Sequence, residues 1–214
     1  MFPKLSSALV AAVVVAVPLA AGVSSRSLVQ TAQAAQAEAV RVRGSIVGFN
    51  DDVLTVKTRE GRTIEIALPK GSALSGVARA AVTDIKPGDY VGIASLPTDD
   101  GGNGALEVVI FPAALKGTGE GSYSWDLEPD SSMTNATVAD AVTDVDGRTV
   151  TVSYHGNEKT FAIPESTPVV TLTSATEADL KPGAAVFING EKDGAGAITA
   201  QRVVVGNNGV APPM

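Results

Sequence analysis

The chain has 214 residues, a formal net charge of −7 and no cysteine. Missing thiols exclude disulfides, thiolate catalysis, Cys-ligated metals and a lipid-anchored cysteine. The acidic balance argues against nucleic acid as a partner, because attraction to phosphates dominates that kind of affinity. Gly 22, Pro 12 and many short Val/Thr/Ile runs predict an all-β chain with frequent turns; with aromatics at only 4%, its interiors are expected to be filled by Val, Ile, Leu and Ala.

Lys4 precedes an apolar run from Ala8 to Val23. The run is shorter than the roughly 20 residues of a membrane span and fits the core of a signal peptide. Ala35-Gln36-Ala37 matches a small-x-small cleavage site, with Ala32-Gln33-Ala34 as the alternative. Residues 1–37 are therefore expected to be a signal peptide. The protein is then periplasmic or extracellular, with no stable membrane span after cleavage. An uncleaved anchor with a flexible tether is the other reading. Removing the segment takes away Lys4 and Arg26 but no acid, so the remaining chain is more acidic still.

Residues 38–111 read as a first β-barrel repeat. Val40, Val42 and Ile46 alternate with Arg41, Arg43 and Val47, the period of a strand with one buried face. Asn50-Asp51-Asp52 turns the chain into Leu54, Val56 and Thr58; Glu60-Gly61 turns it again into Ile64, Ile66 and Leu68, and Pro69 ends the third strand. Residues 71–83 are rich in Ala and Ser and are expected to hold a helical turn near Arg79. Then comes Asp84-Ile85-Lys86-Pro87-Gly88. Pro presets φ for the second position of a turn and Gly accepts φ > 0 at the third, so Lys-Pro-Gly-x predicts a type II turn. The Asp is placed to cap a preceding turn, and the Ile to anchor in a core. Strands over Tyr90–Ala94 and Ala105–Phe111 follow. Three meander strands, a connector and two more strands is the order of a small five-stranded barrel of the OB type.

Residues 112–136 read as an irregular connector, long for a segment without structure of its own, and such loops are often functional. It holds Tyr123 and Trp125, the only tryptophan. These two either plug a seam between barrels or form a stacking platform for a ligand. Residues 137–206 repeat the first pattern, and 207–214 are a tail. Pro164 answers Pro69, and Asp179-Leu180-Lys181-Pro182-Gly183 answers the Asp84 motif at the same spacing. The second copy departs from the first where Ala184-Ala185 replace Asp89-Tyr90.

With Arg43-Gly44-Ser45-Ile46-Val47, Leu54-Thr55-Val56, Asp84 to Val91 and their second-repeat equivalents in place, the chain resembles exported bacterial proteins of unknown function built from OB-like β-barrel repeats. The resemblance covers roughly residues 40–206. It implies an exported protein of two tandem five-stranded barrels and brings no catalytic residues with it.

The candidate binding residues fall into two groups. Arg41, Arg43, Lys57 and Arg59, with Arg62 nearby, occupy outward positions or turns of neighbouring strands. They form either a docking face for an anionic partner, such as a polysaccharide or lipid headgroup, or a solvated strand face interleaved with Glu60 and Glu65. Tyr123 and Trp125 form the second group. No catalytic constellation emerges. His155 is the only histidine and lies in a turn, so a His-based metal site or a Ser-His-Asp triad has too few members. Asp144-Val145-Asp146-Gly147 lacks the flanking ligands of a calcium loop. No metal and no cofactor are expected. The expectation is a non-enzymatic binding or envelope-associated module whose partner is an envelope component or a small ligand. The alternatives are a small-molecule or cation binder using Asp99-Asp100 and Glu191 to Asp193, and a carboxylate hydrolase at Asp126 and Glu128.

Overall fold

A computed structural model describes residues 37–144, 147–207 and 209–212. The expected signal segment up to Gln36, the Val145-Asp146 turn, and residues 208, 213 and 214 of the tail lie outside the described residues. The chain is all-β: thirteen strands share one hydrogen-bonded sheet. They are β1 (Glu38–Asn50), β2 (Val53–Thr58), β3 (Thr63–Ala67), β4 (Ala73–Ala80), β5 (Tyr90–Pro97), β6 (Asn103–Phe111), β7 (Gly121–Ser124), β8 (Ser132–Asp144), β9 (Gly147–Tyr154), β10 (Asn157–Ala162), β11 (Val169–Ser174), β12 (Ala185–Lys192) and β13 (Ile198–Gly206). Among the described residues no helix is long and apolar enough to cross a membrane.

The pairing closes two rings. In the first, β1, β2 and β3 form a meander, β3 pairs in parallel with β13, and β12 returns antiparallel to β1. In the second, β8, β9 and β10 form the meander, β10 pairs in parallel with β6, and β5 returns antiparallel to β8. The expectation of one complete barrel within 38–111 and another within 137–206 is therefore corrected. Each meander is closed by the hairpin of the other repeat.

The physical reason lies in β4 and β11. The Ala/Ser-rich stretch expected to hold a helical turn is the extended strand β4. It pairs in parallel with β13 of the first ring and antiparallel with β11, which in turn pairs in parallel with β6 of the second ring. Eight residues of strand carry the chain about 26 Å, enough to leave one ring and enter the other. Val77 pairs with Leu172, its counterpart at the spacing that relates Pro69 to Pro164, so the repeats meet around a pseudo-twofold axis. Small residues suit this crossing: a Cβ on Gly76 would lie 2.6 Å from Asn207 Nδ2 and 2.7 Å from Thr173 Oγ1.

Each ring has its own interior. Val42, Ile46, Leu54, Val56, Ile66, Ile188 and Val203 fill the first; Val91, Ile93, Val108, Val138, Val152 and Phe161 fill the second. A third cluster lies between the rings, formed by Val77, Val109, Val170, Leu172, Phe187 and Val204. Alternation explains how one strand serves two cores. Val186 and Ile188 point into the first ring while Phe187 points out into the seam.

The two Asp-x-Lys-Pro-Gly segments are the clasps of this exchange. Val82–Asp84 is a single 3-10 turn, and Asp84 Oδ2 accepts the Ala81 N–H at 2.8 Å. Asp179 Oδ2 does the same for Thr176. The turns after them are type II: Asp89 N–H donates to Lys86 O at 3.0 Å, Ala184 N–H donates to Lys181 O at 3.1 Å, and Gly88 and Gly183 have φ of 92° and 85°. Gly88 N–H then donates to Val138 O, and Gly183 N–H to Ile46 O, both at 2.8 Å. Each turn thus fastens its hairpin to the first strand of the other repeat. Ile85 and Leu180 are the buried anchors, in the second and first ring respectively. Nothing lies within 4 Å of a Cβ placed on Gly88, so Gly88→Val is expected to cost only backbone strain, about 1–3 kcal/mol. Thermal melting checks this; an unchanged midpoint means the strain is relieved by a different turn.

Candidate functional site

The candidate residues converge on the seam. Arg41 and Arg43 stand on the outward face of β1 because Val42 and Ile46 take the inward one. Arg43 is directly opposite Phe187, and Arg41 opposite Asn189, on β12. The connector is brought to this face by β7, which pairs with the start of β8, Tyr123 opposite Met133. The connector is thus partly a strand, and β8 begins at Ser132, before the expected start of the second repeat. The sequence missed this because Gly121 to Ser124 is too short for a readable period. A turn then locks residues 125–131: Trp125 N–H donates to Ser131 O at 2.8 Å, and the Ser131 hydroxyl lies 3.0 Å from Trp125 O.

Trp125 is therefore held against the seam core. Its ring is 6.2 Å from that of Phe187 and 6.1 Å from that of Tyr123. The Arg41 guanidinium lies 4.2 Å above the indole, and that of Arg43 is 5.5 Å from the indole and 4.9 Å from the Phe187 ring, distances at which cations are attracted to aromatic faces. Trp125 thus packs into the seam and borders a cleft. Its Nε1–H is buried without an acceptor among the described residues, a deficit of about 1–3 kcal/mol for an unpaired buried donor.

Asp126 completes the arrangement. Its Oδ1 accepts from Arg43 Nη2 at 2.9 Å and lies 3.7 Å from Arg41 Nη1. Burial pushes the Asp126 carboxyl up, but the hydrogen bond and charge of Arg43, with the charge of Arg41, outweigh it and leave the group below its ordinary value. A depressed carboxylate contributes stability that is present above the unfolded value of about 3.9 and lost as pH falls through the folded value. Acidification below about pH 4 is thus expected to loosen the connector and change Trp125 fluorescence. Asp126→Asn is expected to abolish that acid step; a step of unchanged size in the variant would assign it to another group.

The remaining basic residues continue this face. Arg41, Arg43, Arg59 and Arg62 line one groove with Lys192, Glu60 and Asp126, while Lys57 lines the adjoining groove with Arg43 and Arg59. The two candidate groups, basic strand face and aromatic connector, are thus one continuous surface joined at Arg41 and Arg43.

On the other side of Trp125 lies a cleft of about 520 Å³, walled by the outer faces of both rings and roofed by the connector. Phe111, Tyr123, Met133, Phe187 and Leu172 supply its apolar lining, and Arg41 and Arg202 are its charged residues. The two sides of the seam differ here. Gly92 holds the position that Phe187 fills in the second repeat, and a Cβ there would meet Asn135 Oδ1 at 2.8 Å and Phe111 at 3.0 Å. Asn135 is buried; its Nδ2 donates to Tyr123 Oη at 3.0 Å. Tyr90, whose counterpart is Ala185, donates to Thr118 O at 3.1 Å and braces the connector. Burial, then the charge of Glu120, pushes the Tyr90 hydroxyl up to about 12, so it remains a donor.

The other candidates stay apart from the cleft. His155 is exposed in its turn, where its backbone N–H donates to Glu120. Glu128 is exposed, and Asp126 is engaged by Arg43. Asp100 accepts from Thr98 and from Gly102 N–H, and Asp193 from the Ala195 and Ala197 N–H groups. These acids organise their own turns. Among the described residues no group of three or more His, Cys, Asp or Glu side chains comes together to hold a metal. Compared with protein-family models, with curated proteins and with solved structures, the chain matches none.

Proposed function

We propose that the protein is an exported, non-enzymatic binding module, working in the periplasm or outside the cell, whose ligand occupies the seam cleft. The single observation that carries this reading is the cleft itself. It is concave, of the size that takes small molecules, lined by aromatic and apolar side chains with a few polar groups, and roofed by the connector. The apolar run Ala8 to Val23 and the small-residue site after it support export. We read each five-stranded ring as an OB-like barrel, since a three-stranded meander closed by a hairpin through one parallel contact follows that order. An envelope component bearing the ligand as part of a larger chain fits the same cleft.

The test uses thermal shift and Trp125 fluorescence against a panel of neutral, anionic and cationic solutes, calcium included. A saturable change with at least one solute is expected, and it is expected to vanish in Ala73→Trp, which fills the cleft from an exposed position on β4. Silence across the whole panel, or equal binding by Ala73→Trp, overturns the reading.

A further inference from the structure

We propose that the ligand of the seam cleft is a small aryl carboxylate, its charge held by Arg41 and Arg202 and its ring by Tyr123 and Phe111. This inference rests on the seam cleft being the ligand site.

Charge selects an anion. The protein is acidic, yet the charged residues lining this cleft are two arginines and no acid. The neighbouring clefts differ: one includes Glu107, another Glu60 and Asp126, a third Glu107 and Glu165, a fourth Asp179. Arg41 shares Asp126 with Arg43, at the longer distance of 3.7 Å. The Arg202 guanidinium has no carboxylate partner among the described residues. Its counterpart in the first repeat is Glu107, so the cation belongs to this side of the seam alone. A guanidinium presents a planar fork that matches a carboxylate, and the field of two such groups in a recess favours entry of an anion.

Hydrogen-bond polarity selects oxygen acceptors. Tyr123 Oη already accepts from Asn135 Nδ2, so its own proton is left to donate. Burial pushes the Tyr123 hydroxyl up, against the pull of Arg41, which keeps that proton in place at neutral pH. The cleft wall therefore offers the Tyr123 hydroxyl as a donor to a ligand that brings oxygen acceptors.

The apolar lining selects a ring. The chain holds five Phe, three Tyr and one Trp, and Phe111, Tyr123, Trp125 and Phe187 all line this one cleft. Trp125 already has Arg41 over its face, so it serves as a wall. Tyr123 is the aromatic presented to solvent, 40% exposed, and packs edge-on or offset against an incoming ring. A body of one ring fits the volume; a bare inorganic anion leaves the apolar lining wet.

The experiment titrates the full exported chain with benzoate and 4-hydroxybenzoate, reading Trp125 fluorescence and thermal shift. Benzyl alcohol serves as the ring without charge, acetate and inorganic phosphate as charge without ring. Saturable binding of the aryl carboxylates, at least about tenfold tighter than of either control class, is expected. Arg202→Glu is expected to abolish it while melting unchanged in the absence of ligand. Equal binding of acetate or phosphate would reduce the site to a simple anion site and overturn the inference, as would equal binding of benzyl alcohol. Retained benzoate binding in Arg202→Glu overturns it as well. Binding of neutral or cationic solutes without any response to aryl carboxylates ends this inference and leaves the cleft as the ligand site; silence toward every solute ends both.

Discussion

A single cut in the exposed turn between Pro129 and Asp130 is expected to leave a protein that still migrates as one particle and parts into two fragments only in denaturant. Outside the hairpins, every strand ladder joins one side of that cut to the other. The ladders are β1 with β12, β3 and β4 with β13, β4 and β6 with β11, β6 with β10, and β5 and β7 with β8. Separation therefore requires both rings to open, and the interiors of both to meet water, together. Denaturation of the uncut chain is accordingly expected to be one cooperative transition rather than two. A chain of residues 38–111 alone holds a meander and a hairpin that, in the native pairing, belong to different rings. It is expected to lack a stable monomeric fold. Size-exclusion chromatography of the nicked protein, with an engineered protease site at the turn, checks this. Recovery of two separately folded particles would mean that each repeat closes its own barrel and that the exchange is wrong.

Phe187→Ala is expected to lower stability by about 3–5 kcal/mol, the cost of emptying a large buried aromatic site. Phe187 is 1% exposed and packs with Val77, Val109, Val170, Leu172 and Val204 between the rings. The seam has no second residue to collapse into the space. The corresponding position is Gly92, whose surroundings are occupied by Asn135 and Phe111. The loss also removes the support beneath Trp125 and Arg43, so Trp125 emission is expected to shift toward that of a solvated indole. Chemical denaturation gives the magnitude, read as a lower midpoint at unchanged slope. A loss below about 1 kcal/mol, the scale of a surface substitution, would mean that the rings are held by their ladders alone and that the seam is not a core.

Much of this protein was legible locally. The alternation of Val42 and Ile46 with Arg41 and Arg43 reports which face is buried, because side chains of a strand alternate whatever its neighbours are. Lys86-Pro87-Gly88-Asp89 specifies a type II turn because Pro and Gly restrict and permit φ by their own covalent structure. The Asp cap and the Ile85 and Leu180 anchors belong to the same class of statement. The strand β4 was missed because it is packed on both sides and built of small residues, which erases the two-residue period; β11 was passed over beside it.

The sequence alone determined an all-β chain, its meanders, its turns and the outward row of arginines. Only the tertiary structure decided which hairpin closes which ring. The hairpins β5–β6 and β12–β13 carry the same turn motif, the same alternation and the same parallel closure, so no local preference distinguishes a repeat's own meander from the other's. The choice is made where β4 and β11 deliver the chain, around the Val77–Leu172 pair. The site was decided in the same way. Arg43 and Asp126 are separated by 83 positions, and the cleft between Arg41, Trp125 and Arg202 forms because two outer sheet faces meet there. A face against a face leaves no periodic trace in either strand.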